Sequence, residues 1–266
     1  MNSFIKTGLF AACLSVLAGF SQASVAADRK VVVGIMSGEE EEVWQTVAEV
    51  AAKQGLIVKT VSFNDYNLPN EALANGDLDA NEFQHKPFLD NQIKVKGYEI
   101  VPVGYTAVWP IGLYSKKFRT PAELPQGAVI AIPNDPSNEG RALRLLELEG
   151  LIKLDPDKGI LTTPQDITEN VKGLKFKELD TGMLGRAIDD VDAAVINTDW
   201  ALKASLSKKE KIASEPVENN PYRCFIAVRK GDANAPWVPT LVAAFQTEAV
   251  RDVILKVYGG AAVPAW

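Results

Sequence analysis

One histidine, His85, sits between Phe83 and Phe88 in the run NEFQHKPFLD, and those residues could make a general base, a metal ligand or a pocket wall. A transition-metal site draws on several His or Cys side chains, whereas this chain has one His and, beyond its first 27 residues, one Cys, Cys224. Nucleophilic catalysis would have to recruit His85, yet there is no G-x-S-x-G elbow, and Cys224 lies in the apolar run CFIAV. Neither metal binding, nor a cofactor, nor enzymatic turnover is expected. The aromatic reading survives: Tyr66, Phe83, Phe88, Tyr105 and Trp109 stand at strand ends or loops, where rings can face a cleft that suits an apolar or thioether group.

The densest polar constellation is IPNDPSNEGRALRLLE, residues 132–147. A strand ends at Pro133, NDPSN turns the chain, and a helix is predicted to start near Ser137 or Asn138 with Arg141 in its first turn. Free N–H groups and a guanidinium would then converge on an anion such as a carboxylate. The alternative is an Arg141 that is solvated or salt-bridged, with Arg144 as the competing cation. Asn197, at the carboxyl end of the strand DAAVINT, is either a ligand contact or the N-cap of the next helix. Asn219 and Asn220 are either amide donors or simply turn residues.

These residues need a scaffold, and the pattern supplies one. KVVVGIM reads as a buried strand, SGEEEEVWQTVAEVAAKQG as a helix with acids at its start, and LIVKTVSF as a second strand. The same grammar returns in AVIAIPN, SNEGRALRLLELEGLI, LKFKELD, TGMLGRAIDD and DAAVINT. The stretch EIVPVGYTAVWPIGLYSKKF reads as one long strand passing between lobes, and APWVPTLVAAFQTEAVRDVILKVYGG as one long closing helix. The expected fold class is α/β: two lobes with parallel sheets, joined by two crossings that act as a hinge around a ligand cleft. Lobe 1 is expected to take residues 28–118 with 222–266, and lobe 2 residues 119–221.

Residues 1–27 read as a secretory signal peptide: Lys6, the run GLFAACLSVLAGF, then SQASVAA with cleavage after Ala27. The run is shorter than the ~20 apolar residues of a spanning helix. Phe10-Ala11-Ala12 is a poor approach to lipidation at Cys13, so the expectation is a periplasmic chain without a lipid anchor. A net charge of −6 argues against a nucleic-acid or anionic-membrane partner. A lone Cys224 after processing excludes an intrachain disulfide framework.

Together VSFNDYNLPNEAL, DANEFQHKPFLD, YSKK, IPNDPSNEGRALRLLE with GLIKL, AVINTDWA, NPY and GGAAVPAW resemble the methionine-binding substrate-binding proteins of bacterial importers, the NlpA lipoprotein family, along the whole mature chain. The resemblance implies a periplasmic-binding-protein fold of type II topology that delivers an amino acid, as a monomer, to the membrane permease and ATPase of an ABC importer. It assigns Tyr66, Phe83, His85 and Phe88 to the methionine side chain. Arg141 and Asn138 would hold the carboxylate, and Asn197 the amino and carboxylate groups.

Three departures stand out. PFLD replaces the family's Pro-Tyr-Leu-Asp, so Phe88 lacks a hydroxyl, and YRC replaces Tyr-x-Asn, so Cys224 offers no amide to the ligand. A lost hydrogen-bonding partner at a buried charged ligand costs ~1–3 kcal/mol. The third departure is the signal, since the family is usually lipid-anchored. A methionine-containing dipeptide or another apolar amino acid is therefore an alternative ligand. An enzyme on the same bilobal fold, with His85 as base, is the rival from another class.

Overall fold

The computed structural model describes Met1 and residues 29–266. The signal peptide, its cleavage point and Cys13 lie outside the described residues.

The first half runs β1 (Arg29–Met36), α1 (Glu39–Ala52), β2 (Leu56–Phe63), α2 (Leu68–Asn75), β3 (Ala80–His85), α3 (Lys86–Lys96) and β4 (Ile100–Tyr105). It continues through β5 (Ala107–Val108), β6 (Gly112–Tyr114), β7 (Val129–Pro133), α4 (Pro136–Leu148), β8 (Lys153–Leu154) and β9 (Ile167–Glu169). Then come β10 (Lys175–Leu179), α5 (Thr181–Ala187), β11 (Ala193–Ile196), α6 (Thr198–Lys203) and β12 (Lys211–Ser214). The chain closes with β13 (Cys224–Arg229), α7 (Trp237–Phe245), α8 (Glu248–Val257) and β14 (Val263–Pro264).

Two five-stranded sheets carry two α/β lobes, in the orders β2-β1-β3-β13-β4 and β10-β7-β11-β6-β12. Each core follows from the burial of β-branched strands against amphipathic helices. In the first, Val31, Val33 and Ile35 of β1 pack against Val43, Trp44, Val47 and Ala51 of α1 and against Leu241 and Ile254 of α7 and α8. In the second, Ile130 and Ile132 of β7 meet Leu143 and Leu146 of α4.

The parallel pairings β1·β2, β1·β3, β7·β10 and β7·β11 match the strand-helix-strand pattern. Antiparallel partners join them where the chain returns: β13 between β3 and β4, and β6 between β11 and β12. The sheets are therefore mixed rather than wholly parallel, and Lys211–Ser214 is the edge strand β12.

Two long elements divide. The stretch after Glu99 is three strands, because Ala107–Val108 leaves the first sheet to pair with β14 and Gly112–Tyr114 enters the second. The first crossing thus falls at residues 109–111, ahead of the expected end of lobe 1 at 118. The closing helix breaks at Gln246, where the Thr247 hydroxyl caps α8 by accepting from the Val250 N–H at 3.4 Å.

Candidate functional site

The strand ends converge on one partly open cavity with about 530 Å³ of atom-free space, adjoining solvent included, and Tyr66, Phe83, His85, Phe88, Asn138, Arg141, Asn197 and Cys224 line it. His85 ends β3, Asn197 follows β11, Cys224 begins β13, Asn138 and Arg141 ride on α4, and Tyr66 sits in the loop before α2. Trp109 also lines the cavity, whereas Tyr105 is exposed and stacks its ring against the Arg223 guanidinium.

Tyr66, Phe83 and Phe88 form a three-ring cluster with centroids 5.7–6.1 Å apart, and Trp200 adds a fourth ring 6.0 Å from Tyr66. His85 closes this wall, 5.0 Å from the Tyr222 ring. Its Nδ1 accepts the Phe88 N–H at 3.2 Å and so caps α3, which fixes the proton on Nε2; Nε2 donates to Asn138 Oδ1 at 3.2 Å. Burial, then the charge of Arg141, push the ring down to about 3. A neutral imidazole whose lone pair is spent on a helix cap is a poor general base.

The polar end differs from the sequence expectation in its details. Asp135, not Ser137 or Asn138, caps α4: its carboxylate accepts the Asn138 N–H at 3.0 Å and so fills the helix-start anion position itself. Arg141 falls in the second turn and reaches away from that start. Its Nε donates to Glu215 Oε2 at 2.8 Å and its Nη2 to the Trp109 carbonyl at 2.9 Å. The salt-bridged alternative for Arg141 is thus the observed one, and among the described residues Nη1 makes no hydrogen bond. Arg144 bonds the Gly159 carbonyl instead.

Asn138 is committed on every side: Nδ2 donates to both Asp135 oxygens, at 3.1 and 3.0 Å, while Oδ1 accepts from His85 and, at 3.1 Å, from Asn197 Nδ2. Asn197 occupies the N-cap position of α6 yet makes no cap bond, because its side chain turns to the cavity, where Oδ1 is buried and unpartnered. Asn219 and Asn220 are turn residues; Asn219 has φ 54°, and Asn220 accepts the Tyr222 N–H at 2.7 Å. The Cys224 thiol is buried, and burial, then Glu82, push it well above the usual thiol range, so it is inert.

The sequence reading missed three carboxyl groups. Glu40 and Asp199 line the cavity, and Glu215 anchors Arg141. Asp199 accepts the Tyr66 hydroxyl at 2.8 Å, a bond from the first lobe to the second. Glu40 is one of four acids in the first turn of α1, yet it is only 6% exposed. Its spacing from Val43, Trp44, Val47 and Ala51 places it on the buried face, and that signal was in the sequence.

A family model described as NlpA lipoprotein matches residues 31–266. The D-methionine-binding lipoprotein MetQ of Escherichia coli strain K12 is 46% identical over 238 residues, 88% of each chain. Among solved structures, a nutrient binding protein from Burkholderia cenocepacia bound to methionine is 51% identical with a TM-score of 0.86, covering 89% of this chain and all of its own. An ABC transporter periplasmic substrate-binding protein from Coxiella burnetii is 46% identical with a TM-score of 0.85, covering 88% of this chain and all of its own. These likenesses establish the two-lobe periplasmic-binding-protein fold, and they are to substrate-binding proteins. They also overturn one expectation, that of a chain without a lipid anchor at Cys13, since family and relative are both described as lipoproteins.

Proposed function

The chain belongs to the NlpA lipoprotein family, and we propose that it captures methionine or a closely similar amino acid between its lobes for an ABC importer. One observation carries the reading: the cavity holds the complement of a zwitterion with an apolar tail. Arg141 lines the cavity with its Nη1 free of hydrogen bonds and open to a carboxylate, while Glu40 Oε1 and Asn197 Oδ1 are buried acceptors without a donor, suited to an ammonium group. Tyr66, Phe83, His85 and Phe88 supply the apolar end, and Cys224 borders it. Asn138 acts by orienting His85 and Asn197. The names of the relatives, which specify methionine, agree with this chemistry.

On this reading lobe 1 is residues 29–108 with 222–266, lobe 2 is residues 112–221, and the hinge is made by residues 109–111 and the return crossing at 221–222. The protein works as a monomer, performs no catalysis and needs no metal or cofactor; it hands its ligand to a permease driven by an ATPase. Titration calorimetry with each enantiomer of methionine tests the assignment. Arg141→Ala combined with Glu215→Gln, which avoids an orphaned buried carboxylate, is expected to weaken binding at least ~30-fold, equivalent to ~2 kcal/mol. Unchanged affinity in a folded double variant would remove the carboxylate assignment.

A further inference from the structure

Below the ligand cavity lies a second carboxyl group. Glu82 is wholly buried on β3 opposite Ile35 of β1, and Glu40 of α1 sets its buried carboxyl on the N–H of the next residue, Met36, so the two carboxyl groups adjoin. Their partners are fixed donors: the Met36 N–H to Glu40 Oε2 at 2.9 Å, the Thr106 hydroxyl to Glu82 Oε1 at 2.6 Å, and Trp44 Nε1 to Glu82 Oε2 at 3.5 Å. Among the described residues no cation is salt-bridged to either carboxyl. Glu40 Oε1 is left bare, in a residue that lines the cavity.

Two adjoining carboxylates out of water cannot both ionise without a cation. We propose that Glu40 and Glu82 hold one proton between them in the empty cleft, and that the ammonium group of an arriving amino acid expels it. Uptake of one zwitterion then releases one proton to solvent, and the ammonium replaces the proton as the pair's counter-charge. This rests on the amino-acid reading of the cavity given above.

The surroundings favour the device. Burial, then the partner glutamate, hold Glu40 well above the usual carboxylate range, and burial raises Glu82 as well. The other titratable groups facing the pair do not relieve it: Asp199 of α6 adds negative charge, Tyr258 after α8 and Cys224 of β13 are held neutral by burial, and His85 is neutral. Lys203 lies over the Trp200 ring with its Nζ buried and without a hydrogen-bond partner, its charge acting on Asp199 rather than on the pair, and Arg141 is matched by Glu215. The cleft therefore has one unmatched carboxyl pair, and a ligand ammonium is the natural cation for it.

Calorimetry of methionine binding at pH 7 in phosphate and in Tris, whose ionisation enthalpies differ, reads the proton count directly. Close to one proton released per ligand is expected, with affinity rising up to about tenfold per pH unit over the range in which the empty pair keeps its proton. Glu82→Gln leaves Glu40 without a carboxyl partner, so release should fall toward zero and the pH profile should flatten; a melting curve confirms that the variant is folded. Equal heats in the two buffers for the wild-type protein, with methionine bound, would overturn the inference and leave the functional reading standing. Absence of binding by any amino acid would remove both.

Discussion

His85 shows how a residue that invites a catalytic reading is settled by its hydrogen bonds. With Nδ1 committed to the α3 cap and Nε2 to Asn138, the ring is a strut between lobes. A neutral buried ring has a cost that pH reveals. Its folded value near 3 lies below the ordinary 6.5, so its contribution to stability is complete above pH 6.5 and is lost as the pH falls toward 3, at about 1.4 kcal/mol per pH unit. Urea unfolding of His85→Gln between pH 7 and pH 5 is expected to show a shallower loss of stability than wild type; parallel curves would contradict a ring held neutral in the folded state. Cys224 belongs to the same scale. Its thiol borders the cavity where the family resemblance implies an amide, so Cys224→Asn is expected to tighten methionine binding about 5- to 150-fold, the equivalent of ~1–3 kcal/mol. No gain, read by calorimetry, would show that the thiol is part of a differently tuned pocket.

Elements explain why the quoted motifs have the wording they do. In NDYNLPNEAL and DANEFQH, Asn70, Asn81 and Gln84 form a closed, buried side-chain network with bonds of 2.7–3.1 Å, so those amides serve the fold rather than the ligand. In NDPSNEGR, Gly140 lets α4 pass against the segment at 160–162: a Cβ there would meet the Ile160 carbonyl and, at 2.9 Å, the Thr162 nitrogen. Gly140→Ala is thus expected to cost ~1–3 kcal/mol in a urea melt and to shift Asn138 and Arg141 on the same helix; full stability would contradict the close approach.

Most strands and helices were legible because their periodicity reports burial. The long strand and the long closing helix were not, because their breaks depend on tertiary partners, β14 for one and the Thr247 cap for the other. Helix α4 was placed a residue or two late because Pro136 and Asp135 were read as loop rather than as first turn and cap. Of the site, the aromatic wall, Arg141 and Asn197 could be read from residue type. The partners that decide their roles, Glu215 at 74 residues from Arg141 and Asp199 at 133 from Tyr66, are remote in sequence.

At the scale of the molecule, the cleft is bridged by side chains from both sides: Tyr66 to Asp199 and His85 to Asn138. Both bonds span the cavity, so closure of the lobes and formation of the ligand site are the same event, and a ligand that satisfies the orphan atoms shifts the equilibrium toward this closed form. Closure of that kind traps its ligand, which suggests the most direct measurement. Native mass spectrometry of protein purified without unfolding is expected to show one amino acid of methionine's mass per chain, released on denaturation and restored by adding methionine. A chain that carries no such mass and takes up none when methionine is supplied would contradict the account at its centre.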